Sequence, residues 1–148
     1  MEREHILEYL RSTLKERLGV SVVVTRNVHK EASVKNMPIV YVIHGADKVY
    51  ERTSGPIVKR QMDVRIESVF RGSTESKALQ ELAEFQYSLR KALHGPNLNR
   101  VVGTTYKGIM YETETSDVYL PAGTSPNIVA QTIYFEVLYL ENQRRLLS

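Results

Sequence analysis

The stretch from Gln61 to Leu93 most constrains the fold, because its hydrophobic period changes from that of a strand to that of a helix within a few residues. Between Met62 and Phe70, apolar and polar side chains alternate, which predicts a strand with one buried face. Gly72 interrupts the alternation, and the side-chain oxygen of Ser73 or Thr74 can then cap a helix. We expect the rest of the chain to pack around the buried face of this strand.

The predicted helix is amphipathic and ends at His94-Gly95-Pro96, where Gly tolerates a left-handed cap and Pro cannot continue the ladder. Its apolar residues recur at helical spacing and can lie over the sheet. They are Ala78, Leu79, Leu82, Phe85, Leu89 and Leu93. The residues predicted to face water are Lys77, Glu81, Glu84, Arg90 and Lys91.

Length and composition indicate one domain without covalent cross-links. The chain has 148 residues, which is enough for a single hydrophobic core, and we assign residues 1–140 to it and residues 141–148 to a flexible tail. There is no cysteine, which excludes disulfides and thiolate metal sites. The formal charge of +3 is spread along the chain and does not by itself predict a nucleic-acid partner. An acidic N-terminus and the lack of a long apolar window predict a soluble, unexported chain.

The N-terminal part predicts a helix and then a short strand. From Glu2 to Leu18, leucines and Ile6 recur at helical spacing, and Gly19 ends the helix. The β-branched run from Val20 to Val24 predicts a strand in which alternate valines share a face. Residues 27–37 are polar and lack a period, which predicts a loop.

A central strand and a hairpin come next. The apolar run from Ile39 to Ile43 predicts a strand covered on both faces, and Gly45 predicts its end. From Ala46 to Arg60 the sequence is charged and has Gly55-Pro56 at its middle, so Asp47–Arg52 and Ile57–Gln61 can form the arms of a hairpin that protrudes from the core. Such an arm either contacts another molecule or is a disordered surface loop.

The C-terminal part predicts further strands. The glycines at 103 and 108 suggest bends in a strand region, and residues 112–126 are predicted to form a loop that carries acids. Asn127 to Leu140 alternates in the longest predicted strand. The expected fold class is therefore α+β: a two-layer sandwich of a mixed or antiparallel sheet of four to five strands, with two helices on one face.

No residue pattern in the chain predicts catalysis. Asp63 and Glu67 share a strand face but lie four residues apart, about 13 Å at roughly 3.3 Å per residue, which is too far to bind one metal ion. The four histidines have no HxH or HxxxH spacing, and there is no GxSxG, GxGxxG or P-loop sequence. We therefore predict no enzyme activity, no cofactor and no metal site.

The nine tyrosines allow a nucleic-acid interpretation, because rings on a sheet can stack on bases. The spacing of aromatic, basic and glycine residues typical of such sheets is absent. Half-buried packing or contact with another protein explains the tyrosines more simply.

In the order of its elements, the chain resembles the tail terminator proteins of long-tailed bacteriophages, also called tail-completion or minor tail proteins. The resemblance rests on five segments and on no catalytic motif. These segments are the opening helix that ends Leu14-Lys15-Glu16-Arg17-Leu18, the strand Val20–Thr25, the strand Pro38–Ile43, the strand Met62-Asp63-Val64-Arg65-Ile66 running into the helix Leu79–Leu93, and the closing strand Ile133–Val137 with Tyr139.

The resemblance implies a virion structural protein. Such proteins form a ring, usually six-fold, that caps the tail tube, stops its polymerisation and offers a surface to the head connector, while DNA passes through as cargo. The expected partners are therefore copies of the chain itself, the tail-tube protein and the head-connector protein, without a membrane, in virions assembled in the host cytoplasm. A connector protein of the neck is an alternative of the same class, and a sheet-based nucleic-acid module is an alternative of another class.

The candidate contact residues come from exposure and charge. The hairpin arm and the tail are basic, whereas the loop from Glu112 to Pro126 is acidic, so these segments are predicted to contact neighbouring subunits or the tube. The candidates are Lys48, Tyr50, Arg52, Lys59, Arg60, Glu114, Asp117, Tyr119, Arg144 and Arg145.

Overall fold

The computed structural model describes residues 2–26, 38–52, 55–93, 109–120 and 127–142. Within these ranges the chain forms two helices and five strands. In chain order they are α1 (Glu2–Leu18), β1 (Val23–Thr25), β2 (Ile39–Arg52), β3 (Ile57–Arg71), α2 (Glu75–Leu93), β4 (Ile109–Thr115) and β5 (Ile128–Asn142). The predicted loops at 27–37 and 121–126, the strand region at 101–108, and His29 and His94 lie outside the described residues.

The strands form one mixed sheet in the order β1-β2-β3-β5-β4. β1 runs parallel to β2, and the other neighbouring pairs are antiparallel. An isolated bridge between Tyr119 and Ala130 continues the pairing of β5 beyond β4. Both helices pack on the same face of the sheet, because one hydrophobic cluster joins residues of α1, α2 and the strands. The predicted α+β sandwich with two helices on one face is confirmed.

The alternation predicted for β3 and β5 is confirmed by their burial. Met62, Val64 and Ile66 of β3 are fully buried beneath the helices, and the cross-strand partner of each on β5 is an apolar residue of the same core. Asp63 and Arg65, which point to the other face, are exposed. The two central strands therefore supply the floor of the core on one side and a polar surface on the other.

The strand predicted at Val20–Val24 begins later than expected, so that prediction was wrong at its start. Gly19 has a φ of +94°, and the Val22 N–H donates a hydrogen bond to its carbonyl oxygen at 3.4 Å. The chain therefore turns before β1, and Val20 is 98% exposed. β-branched residues favour a strand, but the first residues of the valine run form the turn that follows α1 and so cannot belong to β1.

The apolar stripe of α2 differs from the predicted one at two positions. Leu79 is 41% exposed, whereas Gln86 is buried, and its side-chain amide has no hydrogen-bond partner among the described residues. Arg90, which was expected to face water, donates hydrogen bonds to Glu112 and Thr115 of β4. The position of β4 beside the helix explains this contact, and the sequence pattern of α2 alone could not reveal it.

Gly45 does not end the strand that contains it. β2 continues to Arg52, with irregular pairing between His44 and Asp47, which is the signature of a β-bulge. The two predicted arms do pair as a hairpin, but β5 accompanies β3 along the whole stretch, from Ile57 opposite Asn142 onwards. The hairpin is thus a continuation of the sheet and not a free two-stranded arm.

Two predicted boundaries in the C-terminal part were wrong. Glu112 and Glu114 belong to β4 and pair with β5, although this segment was expected to be a loop. Glu141 belongs to β5 and is 4% exposed, although it was assigned to the flexible tail. Acidic residues have a low strand propensity, and here cross-strand pairing overrides it.

Candidate functional site

The face of the sheet opposite the helices carries an open groove with a volume of about 310 Å³. Its floor is built from the two central strands, with Asp63 and Arg65 from β3 and Tyr134 from β5. Gly45, Thr113 and Glu114 border it from β2 and β4. We refer to this depression as the open-face groove.

Two β-bulges form the sides of the open-face groove. The pairing of β2 with β3 is irregular between His44 and Asp47, and the pairing of β4 with β5 is irregular between Glu112 and Glu114. Bulges bend a strand and redirect its side chains, and they are frequent beside functional sites. Both bulges border the same short stretch of the central strands, and they determine which side chains surround the groove.

Gly45 lies where β2 approaches β3 closely. A Cβ atom at Gly45 would lie 3.3 Å from the Cβ of Asp63, closer than ordinary van der Waals contact. The absence of a side chain therefore leaves space above Asp63. The sequence signal at Gly45 was visible, but it was interpreted as the end of the strand.

Acidic side chains outnumber basic ones in the described lining of the groove, by two to one. Asp63 lies directly opposite Glu136, so two carboxylates of the same sign are neighbours across the central strand pair. Glu114 is exposed at the border, and Arg65 is the cation of the groove lining. Within the described residues, Asp63 and Glu114 have no hydrogen-bond or ion-pair partner. The groove therefore presents carboxylates whose charge the described part of the chain does not neutralise.

Tyr119 was expected to contact another molecule, but its hydroxyl is used inside the chain. It donates a hydrogen bond to Glu67 and lies 3.0 Å from the Thr132 hydroxyl oxygen. Burial, together with the hydrogen bond to the Glu67 carboxylate, raises the pKa of Tyr119 well above its ordinary value. Through these contacts Tyr119 holds residues 116–120 against part of the sheet face opposite the helices.

Arg60, another predicted contact residue, also serves the chain's own structure. Its Nε donates to Oδ1 of Asp47 at 2.9 Å, and its Nη1 lies 3.5 Å from Oε1 of Glu141. Burial lowers the pKa of Arg60, but the hydrogen bond and the charges of Asp47 and Glu141 outweigh that effect and raise it above its ordinary value. Because only 20% of its side chain is exposed, Arg60 is not available as a surface cation.

The remaining cations of the hairpin are exposed. Lys48 and Arg52 make no hydrogen bond or ion pair within the described part of the chain, and Lys59 lies 3.2 Å from Glu51. Lys48 lies opposite Gln61 on the sheet face that carries Asp63, and Lys59 lies on the same face, whereas Arg52 lies opposite Val58 on the helix side of the sheet. Lys48 and Arg52 thus remain exposed and unpaired within the described residues, on opposite faces of the hairpin.

The other predicted contact residues fall into two groups. Asp117 is exposed next to the Tyr119 bridge, away from the groove lining. The side chain of Tyr50 lies outside the described part of the chain, as do Arg144 and Arg145 entirely. Of the predicted contact residues, Glu114 is the one that lines the open-face groove, where it lies near Asp63. The sequence did not suggest this proximity, because Glu114 was assigned to a loop.

The described residues offer no arrangement for metal binding. Among them, no three histidine, aspartate or glutamate side chains form a group that could hold a metal ion. Glu67, considered with Asp63 as a possible acidic pair, accepts the hydrogen bond from Tyr119 instead. The open-face groove is suited to polar and ionic contacts with a positively charged segment.

Sequence reasoning missed several exposed apolar side chains. Leu79 and Tyr87 of α2, together with Val118 and Leu120, are large apolar residues that remain at least two-fifths exposed, Leu79 at 41% and Tyr87 at 72%. Leu79 was assigned to the buried stripe, and an exposed tyrosine on a helix gives no sequence signal. No described helix is long and apolar enough to span a lipid bilayer.

The chain matches no protein-family model and no curated protein.

Proposed function

We propose that the protein is a structural component of a long-tailed phage virion, which forms a ring at the end of the tail tube. The ring ends tail polymerisation and provides the surface to which the head joins. Its partners are copies of the same chain, with six as the expected number, the tail-tube protein and the head-connector protein. DNA passes through the ring as cargo, and assembly takes place in the host cytoplasm before the protein becomes part of the virion.

The observation that carries this proposal is the order and arrangement of the elements. The segments on which the resemblance to tail terminators rests form α1, the strands β1 and β2, the continuous β3–α2 unit, and β5, all in one sandwich. This arrangement supports the proposal because each of the quoted segments forms the helix or strand that the resemblance assigns to it, with the first strand shortened to Val23–Thr25. The exposed charged surfaces on the hairpin and on the open sheet face are consistent with a protein that acts through contacts.

The alternative of a sheet-based nucleic-acid module receives less support from the charges. The sheet face that is free of helices is the place where such modules bind bases. Here that face carries Asp63, Glu67 and Glu136 along its centre, and carboxylates repel a phosphate backbone, although Arg65, Lys48 and Lys59 lie on the same face. The other alternative is a connector protein of the neck. The gene deletion described next distinguishes it from a terminator.

The test is deletion of the gene from the phage or prophage that carries it, followed by electron microscopy of the lysate. A terminator predicts headless tails of uncontrolled and excessive length, because nothing stops polymerisation of the tube. Tails of normal length beside filled heads would assign the protein to the connector class. Wild-type particles would refute a virion role.

Two controls make the deletion interpretable. Supplying the intact gene in trans must restore tails of normal length with joined heads. Labelling the protein in complete particles must locate it between tail and head. A salt titration of DNA binding by the purified protein tests the nucleic-acid alternative, because phosphate contacts produce a steep loss of affinity with salt.

A further inference from the structure

We infer that α2 pairs with α2 of a second copy of this chain, in antiparallel orientation, through a row of exposed side chains on its outer surface. The row consists of Glu75, Leu79, Ala83, Tyr87 and Lys91, and we refer to it as the α2 ridge. A contact of two-fold symmetry is complete with two copies. It is therefore separate from the contact that would close a ring, and the inference goes beyond the proposed function without depending on it.

Helical spacing places the members of the α2 ridge in one row. They recur every four residues, and side chains that are four residues apart are neighbours on a helix surface. All of them are exposed. Other positions, among them Leu82 and Leu89, form the buried side of α2. The α2 ridge therefore takes no part in the contact between the helix and the sheet.

The neighbouring elements leave the α2 ridge accessible. Arg17 of α1 donates a hydrogen bond of 2.6 Å to the carbonyl oxygen of Ala92, and Arg90 contacts Glu112 of β4. α1 and β4 thus flank α2 on two sides, and the sheet lies below it. The outer surface is left over, and there Tyr87 is 72% exposed. Among the described residues, no partner covers this surface.

The middle of the α2 ridge is apolar. Leu79 is 41% exposed, Tyr87 is 72% exposed, and Ala83 lies between them. In an antiparallel pair centred on Ala83, Leu79 of each copy lies beside Tyr87 of the other, because both residues are equally far from Ala83 along the helix. The small side chain of Ala83 lets the helices approach closely, and the leucine and the tyrosine ring fill the space on either side.

The charges at the ends of the α2 ridge select the orientation. Glu75 stands at one end and Lys91 at the other, and neither makes an ion pair or a side-chain hydrogen bond within the described residues. An antiparallel pair brings Glu75 of each copy towards Lys91 of the other. A parallel pair would bring two acids together at one end and two lysines at the other. The α2 ridge is thus complementary to itself in the antiparallel orientation, which makes a second copy the partner that fits it.

The packing geometry keeps the charged ends within reach of each other. A row of residues four apart winds slowly around its helix. Helices that pack through two such rows cross at about 50°, and at that angle the two rows run side by side. Glu75 and Lys91 therefore follow the same line as the apolar centre, and their long side chains can meet across the pair.

The first test reverses the end charges and measures the mass of the purified chain by sedimentation over a range of concentrations. Glu75→Lys places two lysines together at each end of the pair, and Lys91→Glu places two acids there. We expect the self-association constant of either variant to fall roughly tenfold. A 1:1 mixture of the two variants puts a lysine opposite an acid at both ends, so the mixture is expected to associate as the wild type does.

The second test locates the centre of the pair. The chain has no cysteine, so Ala83→Cys introduces a single thiol. In the antiparallel pair the two thiols meet, and we expect a disulfide-linked dimer to form under mild oxidation. Glu84→Cys is the matched control, because Glu84 is also exposed but points about 100° away around the helix. We expect its cross-linking to be at least about tenfold slower.

Two controls separate the contact from general effects of charge and folding. Lys77→Glu with Glu84→Lys changes two exposed charges on another side of α2 and is expected to leave the mass unchanged. Glu75, Ala83 and Lys91 are exposed, so their replacement leaves the core intact. Circular dichroism and thermal unfolding of each variant check this.

Four outcomes would overturn the inference. They are a wild-type chain that stays monomeric at about 1 mM, single charge variants that associate as the wild type does, a mixture of them that stays monomeric, and a thiol at Glu84 that cross-links as fast as one at Ala83. None of these results bears on tail length in the deletion strain, so the inference and the proposed function can fail separately.

Discussion

The hydroxyl of Tyr139 donates a hydrogen bond of 2.6 Å to Oδ2 of Asp47, which links β5 to β2 across the intervening strand β3. Arg60 of β3 lies between them in the same network and also faces Glu141. The carboxylates of Asp47 and Glu141 are only 7% and 5% exposed. Three strands of the hairpin region are therefore held together by buried polar groups as well as by the sheet ladder.

Replacement of Arg60 by Met is expected to lower the free energy of unfolding by about 3 kcal/mol, because it leaves the buried carboxylate of Glu141 without its cation and that of Asp47 with only Arg3, whose Nη1 lies 3.9 Å away. Urea unfolding measures this value. Lys59→Met is the matched control, since it removes the neighbouring cation from an exposed pair and is expected to lower stability by less than about 1 kcal/mol. Equal effects of the two substitutions would contradict the role assigned to Arg60.

Replacement of Tyr139 by Phe is expected to destabilise the chain by about 2 kcal/mol at neutral pH, because the buried carboxylate of Asp47 loses a hydrogen-bond donor. Tyr87→Phe is the control, since the ring of Tyr87 is on a residue that is 72% exposed. If both variants unfold at the same denaturant concentration as the wild type, the hydrogen bond contributes nothing to stability.

Tyr139 and Tyr119 predict a loss of stability at high pH. Burial, and then the hydrogen bond to a carboxylate, raises the pKa of Tyr139 and of Tyr119 above the ordinary value. Folding favours the neutral form of such a tyrosine. Its contribution to the free energy of unfolding is therefore complete below the pKa of the unfolded state, about 10. Above that pH, the unfolded chain releases protons that the folded chain retains, so the free energy of unfolding falls. Denaturant titrations at increasing pH check this, and the Tyr139→Phe variant is expected to show a shallower decline.

Replacement of Gly72 by Ala is expected to destabilise the chain by about 2 kcal/mol or more. A Cβ atom there would lie 2.3 Å from the backbone nitrogen of Ala78, so the strand-to-helix connection would have to move. Gly55→Ala is the control, because no described residue other than its chain neighbours has an atom within 4 Å of the added Cβ. Thermal unfolding of the two variants measures the difference, and equal melting temperatures would show that the connection yields without cost.

Replacement of Thr74 by Ala is expected to lower stability by about 1 kcal/mol, since the Thr74 hydroxyl oxygen accepts a hydrogen bond from the Lys77 N–H at 3.1 Å. Ser73→Ala is expected to be nearly neutral, because the cap of α2 is Thr74. The sequence left the choice between these two residues open. A larger effect at Ser73 than at Thr74, measured by chemical denaturation, would reverse the assignment.

Local periodicity is the part of the sequence that predicted structure correctly. The alternation in β3 and β5 identified the buried face of each strand, and the helical spacing of Leu82 and Leu89 identified the face of α2 that meets the sheet. These predictions succeed because the period of side-chain burial follows from backbone geometry within one element.

Contacts between elements were decided only by the tertiary structure. Arg60 and Tyr119 looked like surface residues, yet Asp47 and Glu67, which engage them, are brought close by the strand order and the cross-strand register. The open-face groove depends on bulges in β2 and β4, and a bulge is a feature of pairing between two strands. The sequence by itself thus determined the elements and their buried faces, while the pairing of distant segments decided which charges were neutralised inside the chain and which remained on its surface.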